Sequence, residues 1–221
     1  MLSGLSSCRV VGILLGIMNN PIYGLVLAAG MARRMGSTKQ LLPFGNWTVL
    51  QTVVGTLLRA DLAGVLVVLG HDAEAVRESF GEQDITFCVN EAYREGMFSS
   101  VLCGLAHLPQ NADAVLLALG DQPQIDLPVA QAVIAAYQKS DKGIVIPTWD
   151  GQRGHPVLVS LARYRAEIFA LSGEQGLKPV MRGYPEDTLE VPVDDEGILR
   201  DLDTPEDYRA EVERQKAKVK R

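Results

Sequence analysis

Short apolar runs without polar alternation recur along the chain, and most are followed by a stretch whose apolar residues return every three or four positions. Tyr23-Gly24-Leu25-Val26-Leu27-Ala28-Ala29 is such a run, and Val65 to Leu69, ending at Gly70, is another. Strands apolar on both sides are covered on both faces, as in a parallel sheet. The same reading predicts strands at 85–89, 114–119 and 144–146, and helices at 47–60, 73–80, 98–108 and 127–139. Strand–helix alternation of this kind implies an α/β three-layer sandwich with a mostly parallel, Rossmann-like central sheet. Ligands of such sheets bind outside the carboxyl ends of the strands.

Past Pro147 the pattern changes. A polar turn at 148–154 leads into a strand at 155–160, which reads as a small inserted hairpin or antiparallel edge. Helices at 161–171 and 175–182, a strand at 188–191 and a helix from Pro205 complete the chain. Thr204 is the expected N-cap, with Pro205 at the first helical position and Glu206 and Asp207 in the first turn. The expected organisation is one domain over 21–210, with 211–221 a solvated basic helix end.

Composition narrows the functional classes. The 221 residues, 47% hydrophobic and 22% charged, supply an ample core for one domain. A net charge of −6 excludes nucleic acid as the main partner, because backbone phosphates demand a broad basic surface. Cys8, Cys88 and Cys103 lack metal-like spacing and read as free thiols in a reducing, cytoplasmic compartment. Within 1–20, Arg9 precedes an apolar run at 10–17 that is too short to span a bilayer. Met18 is therefore the expected natural start, with the preceding residues a disordered or misassigned extension and no membrane partner.

The candidate chemistry begins at LAAGMARRMGSTK, from Leu27 to Lys39. Gly30 and Gly36 free the backbone to present amide N–H groups to anionic oxygens, and Arg33, Arg34 and Lys39 supply charge. Five residues separate the two glycines, so neither the dinucleotide fingerprint G-x-G-x-x-G nor the P-loop spacing is present. A polyphosphate grip of another kind is the expectation, with a plain βα turn as the alternative. Asp121, in Gly120-Asp121-Gln122-Pro123 after an apolar strand, falls at the same carboxyl edge. A carboxylate facing a phosphate loop suits a shared Mg²⁺, though turn capping before Pro123 explains it equally well. Asp201 and Asp203 precede the last helix, and for Asp201 capping is the preferred reading.

Together these residues suggest in-line displacement at the α-phosphorus of a nucleoside triphosphate, with Arg34, Lys39 and Asp121 as the catalytic set. LAAGMARRMGSTKQLLPFG, GDQP, GQRGHPV and DLDTPEDY then stand in the order and spacing of the molybdenum cofactor nucleotidylyltransferases, which the chain resembles from Tyr23 to Tyr208. The resemblance is strongest to the cytidylyl-transferring branch, whose pattern falls on Leu27, Ala28, Ala29, Gly30, Arg34, Gly36 and Lys39. Ala29 stands where guanylyl-transferring relatives usually carry glycine. The resemblance implies transfer of CMP from CTP to the phosphate of molybdenum-bound molybdopterin, for a client enzyme of the xanthine dehydrogenase type.

It further implies Mg²⁺ held by Asp121 and Asp203, and nucleotide contacts from the loop residues with Gly70 and Gly120. Acceptor contacts fall on Ser99, Ser100, Arg153, His155 and Lys178. Two departures stand out: Ala32 replaces a small hydroxyl residue, and Lys178 replaces an arginine. Arginine and lysine differ in bidentate recognition, so the second departure bears on the acceptor. Alternatives are a nucleotidylyltransferase for a sugar or alditol phosphate and a pterin chaperone without turnover; an NAD-dependent dehydrogenase is disfavoured by the missing fingerprint.

Overall fold

A computed structural model describes residues 20–31, 35, 38–81, 85–171 and 176–219, for which all structural statements below are made. The expected extension and start at Met18 lie outside them. In chain order the elements are β1 (Ile22–Ala28), β2 (Pro43–Phe44), β3 (Trp47–Thr48), α1 (Val49–Leu58), β4 (Gly64–Leu69), α2 (Ala73–Glu78) and β5 (Thr86–Val89). There follow α3 (Met97–His107), β6 (Ala114–Leu119), α4 (Leu127–Lys139), β7 (Ile144–Trp149), β8 (Gln152–Arg153) and β9 (Val157–Ser160). The chain ends with α5 (Leu161–Ala170), α6 (Lys178–Gly183), β10 (Thr188–Pro192) and α7 (Pro205–Val219).

The main sheet runs β10-β7-β9-β6-β1-β4-β5, with β8 paired to β7 and a separate β2-β3 pair. β1 is parallel to both β4 and β6, and β10 is parallel to β7. Pleating sends alternate residues of each strand to opposite faces, and both faces are covered. Val26 and Ala28 of β1 join Leu50, Val53 and Leu57 of α1 and Val133 of α4 in one core. Leu25 and Leu27 join Val101 and Leu105 of α3 and Ile168 of α5 in the other. This is the three-layer sandwich expected from the unalternating strands.

The hairpin expected after Pro147 forms between β7 and β8, with Thr148 opposite Arg153. The strand it leads to, β9, enters the sheet between β6 and β7 and runs antiparallel to both. At the N-terminus of α1, Thr48 and Gln51 form a reciprocal capping box, Gln51 N donating to Thr48 Oγ1 at 3.2 Å and Thr48 N to Gln51 Oε1 at 2.8 Å.

The basic C-terminal helix is more than a solvated end. Glu211 of α7 is buried and accepts from Arg200 Nε at 3.0 Å and Arg214 Nη1 at 3.0 Å. Lys218 pairs with Asp126 at 3.1 Å. α7 thereby ties down the segment that precedes it.

Two glycines draw the carboxyl ends of the central strands together. A Cβ on Gly70 would stand 2.8 Å from the Ala29 carbonyl oxygen and 2.7 Å from Tyr93 Cβ. On Gly120 it would meet the Leu27 carbonyl oxygen at 3.0 Å. Gly70→Ala must therefore shift backbone at the end of β1. It is expected to lower unfolding stability by about 1–3 kcal/mol, the usual overpacking cost, measured by urea denaturation.

Candidate functional site

The site is built where β1 and β6 end. Gln40, almost wholly buried, donates its Nε2 to the carbonyls of Ala28 at 3.0 Å and Gly30 at 3.3 Å, clamping the start of the loop. Thr38 donates its hydroxyl to the Asp72 carboxylate and fixes the loop's far end. A single 3₁₀ turn, Lys39–Leu41, then aims Lys39 Nζ across the sheet edge. It forms an ion pair with Asp121 Oδ2, lies 3.6 Å from Asp203 Oδ1 and donates to the Leu202 carbonyl at 3.4 Å.

The segment bearing Asp201 and Asp203 is held against Asp121 from several directions. Leu202 N donates to the Asp121 carbonyl at 3.3 Å, and Leu202 itself is buried beside Phe44 and Val49. Gln124 Nε2 donates to the carbonyls of Gly197 at 2.9 Å and Arg200 at 2.6 Å. Asp201 is not the helix cap anticipated from its position. That task belongs to Thr204, whose Oγ1 accepts from Asp207 N at 3.2 Å while Asp207 Oδ2 accepts from Thr204 N at 2.9 Å. Asp201 instead accepts from Gln122 Nε2 at 2.8 Å.

Electrostatics reinforce that placement. Burial, then the Asp121 carboxylate, pushes the Asp201 carboxyl above its ordinary value. Asp121 and Asp203 both lie within ion-pair reach of Lys39, and Asp201 is close enough to feel both carboxylates. Mg²⁺ or Mn²⁺ takes clustered oxygen donors of this kind beside phosphate oxygens.

Two adjoining cavities open at this edge. The first, about 400 Å³, is lined by Leu27, Ala29, Gly30, Lys39, Gly120 and Asp121. Five of the expected nucleotide contacts are therefore together. Ala28 and Gly70 stand beside this cavity without lining it: the Ala28 carbonyl accepts from Gln40, and Gly70 makes the close approach between strands. Arg34 and Gly36 lie outside the described residues.

The second cavity, about 630 Å³, shares the Arg94, Gly96 and Met97 wall with the first. Val101, Leu117, Ile146 and Val157 make it apolar, while Arg94, Arg153, Lys178 and Arg182 line it with cations. His155 also lines it; burial lowers the imidazole pKa, and Asp121 partly opposes the shift. Arg153 is held by Glu190, with Nε and Nη2 at 2.8 and 2.7 Å from Oε1.

Both serines are engaged by Asn90. Ser99 lines neither cavity: its Oγ accepts from Asn90 Nδ2 at 2.8 Å and donates to the Gly96 carbonyl at 2.8 Å. Ser100, also bonded by Asn90 at 3.0 Å, lines the first cavity rather than the acceptor side. Gln40, Asn90, Arg94 and Arg182 escaped the sequence reading. Only Gln40, beside Lys39, had a positional clue.

Because the folded Asp201 pKa is raised, its ionised form costs stability at neutral pH, and the cost vanishes as pH falls through that value toward 3.8. Asp201→Asn is expected to unfold at higher urea concentration than the parent at neutral pH in divalent-free buffer. The difference should close on acidification; a lower midpoint at neutral pH contradicts the upward shift of the Asp201 carboxyl.

Comparison with known proteins agrees with this geometry. Residues 24–189 match the model of the MobA-like NTP transferase domain. The chain is 29% identical over 196 residues to nicotine blue oxidoreductase of Paenarthrobacter nicotinovorans, covering 84% of this chain and 93% of that one. It is 26% identical over 191 residues to molybdenum cofactor cytidylyltransferase of Escherichia coli K12, covering 86% and 95%. The crystal structure of Rv0371c from Mycobacterium tuberculosis H37Rv superposes with a TM-score of 0.78 at 30% identity, over 88% of this chain and 99% of that one. The same protein in complex with manganese superposes at 0.74 and 29% identity, with the same coverage. With the family model spanning most of its length, this chain belongs to the MobA-like NTP transferase family.

Proposed function

We propose that this protein transfers CMP from CTP to the phosphate of molybdenum-bound molybdopterin, releasing pyrophosphate and forming the cytosine dinucleotide cofactor. The observation that carries this reading is the shared wall at Arg94, Gly96 and Met97. It joins a small cavity bearing Lys39 and Asp121 to a larger apolar cavity lined with cations. A triphosphate fits the first, and a flat heterocycle bearing a phosphate fits the second. Ala29, at the cytidylyl-type position, and the cytidylyltransferase relative favour CTP.

Asp121 and Asp203 would hold a divalent cation, magnesium or manganese, which when bound neutralises triphosphate charge. The manganese complex of the related mycobacterial protein supports that assignment. An acceptor phosphate monoester has a second pKa near 6 and is mostly dianionic at neutral pH, so it attacks without a general base. Its oxygen forms the new bond to the α-phosphorus, the bond to the bridging β-oxygen breaks, and pyrophosphate leaves with the electron pair. Lys39 balances the charge that gathers on pyrophosphate, and Arg34 from the loop joins it. Arg153, Lys178 and His155 orient the acceptor, with Arg94 and Arg182 adding charge along the cavity.

A second reading rests on the nicotine blue oxidoreductase relative and on the same apolar cavity, which also suits reduction of a flat aromatic molecule. Incubation with labelled CTP, GTP or ATP, Mg²⁺ or Mn²⁺, and in turn molybdenum-bound molybdopterin, a sugar phosphate or an alditol phosphate, beside a parallel assay with nicotine blue and a reduced nicotinamide cofactor, separates the readings. Pyrophosphate release with CTP is expected. Release only with a sugar or alditol phosphate reassigns the acceptor, and no release beside oxidation of a nicotinamide cofactor establishes the second reading. Asp121→Ala is expected to lose at least roughly a hundredfold in turnover with the fold intact, as for removal of a main electrostatic stabiliser. Lys39→Ala should lower kcat more than it raises the acceptor KM in steady-state kinetics.

A further inference from the structure

Two thiols and an imidazole meet on the face of the sheet covered by α3. Cys88 comes from the edge strand β5, and Cys103 and His107 come from α3, four residues apart on one helical face. Each offers a ligand atom within 4.8 Å of the other two, and the two sulfurs are 4.0 Å apart. A tetrahedral zinc with Zn–S bonds of about 2.3 Å sets its sulfurs roughly 3.8 Å apart, whereas a disulfide demands about 2.05 Å. The observed separation is that of a thiol–thiol contact, close to the spacing two ligands take around one ion and far from a disulfide.

The surrounding structure builds this arrangement. A Cβ on Gly104 would come within 2.5 Å of Leu25 Cδ1 and 2.9 Å of Val68 Cγ2. Its absence seats α3 directly on β1 and β4 and carries neighbouring Cys103 to β5. His107 Nδ1 lies 2.8 Å from the Cys103 carbonyl, an acceptor only. Nδ1 therefore donates there and Nε2 keeps the lone pair, as in histidines that bind a metal through Nε2 while the other ring nitrogen holds a backbone carbonyl. His107 is solvent-exposed, Cys103 half-buried and Cys88 buried behind them, so an ion has an entry path.

We propose that Cys88, Cys103 and His107 bind a thiophilic cation of the zinc or cadmium class, separate from the hard-cation donors Asp121 and Asp203. Binding forms two metal–sulfur bonds and one metal–nitrogen bond, releases both thiol protons to solvent and transfers no electrons; water completes the tetrahedron. The ion would pin β5 to α3, the helix whose first residues wall both cavities.

Cadmium titration of the full chain carrying Cys8→Ser, kept reduced and freed of metals, tests the proposal. Thiolate-to-cadmium charge transfer gives an ultraviolet band that oxygen donors cannot, so the carboxylate site stays silent. The band is expected to saturate at one equivalent. Cys88→Ser or Cys103→Ser should remove at least half of its intensity, and exposed His107→Ala should weaken binding by roughly tenfold or more. His107→Ala removes no buried group, so it keeps the test decisive should a serine variant fail to fold. No band in the parent, full intensity in either serine variant, or unchanged affinity in His107→Ala overturns the proposal.

Discussion

The Lys39 ammonium stands where two acidic segments far apart in sequence would otherwise repel each other. Asp121 follows the central strand β6, while Asp201 and Asp203 arrive from the strap ahead of α7. Their carboxylates crowd one corner of the sheet, and burial with the neighbouring carboxylates raises the cost of charging Asp201. Gln40 and Thr38 hold Lys39 from one side. Leu202, Gln124 and the Arg200–Glu211 pair hold the strap from the other. The fold thus spends its own stability to concentrate negative charge, as a site prepared for a cationic ligand must.

The two cavities differ in their charges rather than in apolar lining. At the ends of β1 and β6, Lys39 and Asp121 face the first beside Leu27, Tyr93, Met97 and Leu119. Beyond the Gly96 and Met97 wall, apolar side chains from β6, β7 and β9 provide contact area while cations fix orientation. A ligand spanning both gains desolvation from one half and electrostatic placement from the other.

Much of this was legible in the chain because parallel strands buried on both faces are continuous apolar runs. β1, β4 and β6 fall within a residue or so of their expected bounds, and the capping role of Thr204 follows from its Pro205 and Asp207 neighbours. Lys39 and Asp121 could be paired because both fall at carboxyl ends of strands, which a parallel sheet brings to one edge. Asp201 was misjudged because two carboxylates ahead of a helix look alike as caps, and only the Gln122 bond distinguishes them. Ser99 and Ser100 looked like ligand hydroxyls, yet buried Asn90 claims both, a tertiary contact that chain spacing cannot show. The same holds for Cys88 and Cys103, fifteen positions apart and brought together only by helix packing.

The antiparallel β9 divides the sheet into two blocks. β5, β4, β1 and β6 form an unbroken parallel block that ends beside Lys39 and Asp121, while β9, β7, β8 and β10 form a mixed block behind the second cavity. One ladder, β6 with β9, joins them. The mixed block also reaches the strap ahead of α7: His155 N donates to the Ile198 carbonyl at 3.1 Å, and a Cβ on Gly154 would collide with that oxygen. One short stretch between β8 and β9 thus lines the second cavity and braces the strap that carries Asp201 and Asp203, so a change there is felt at both.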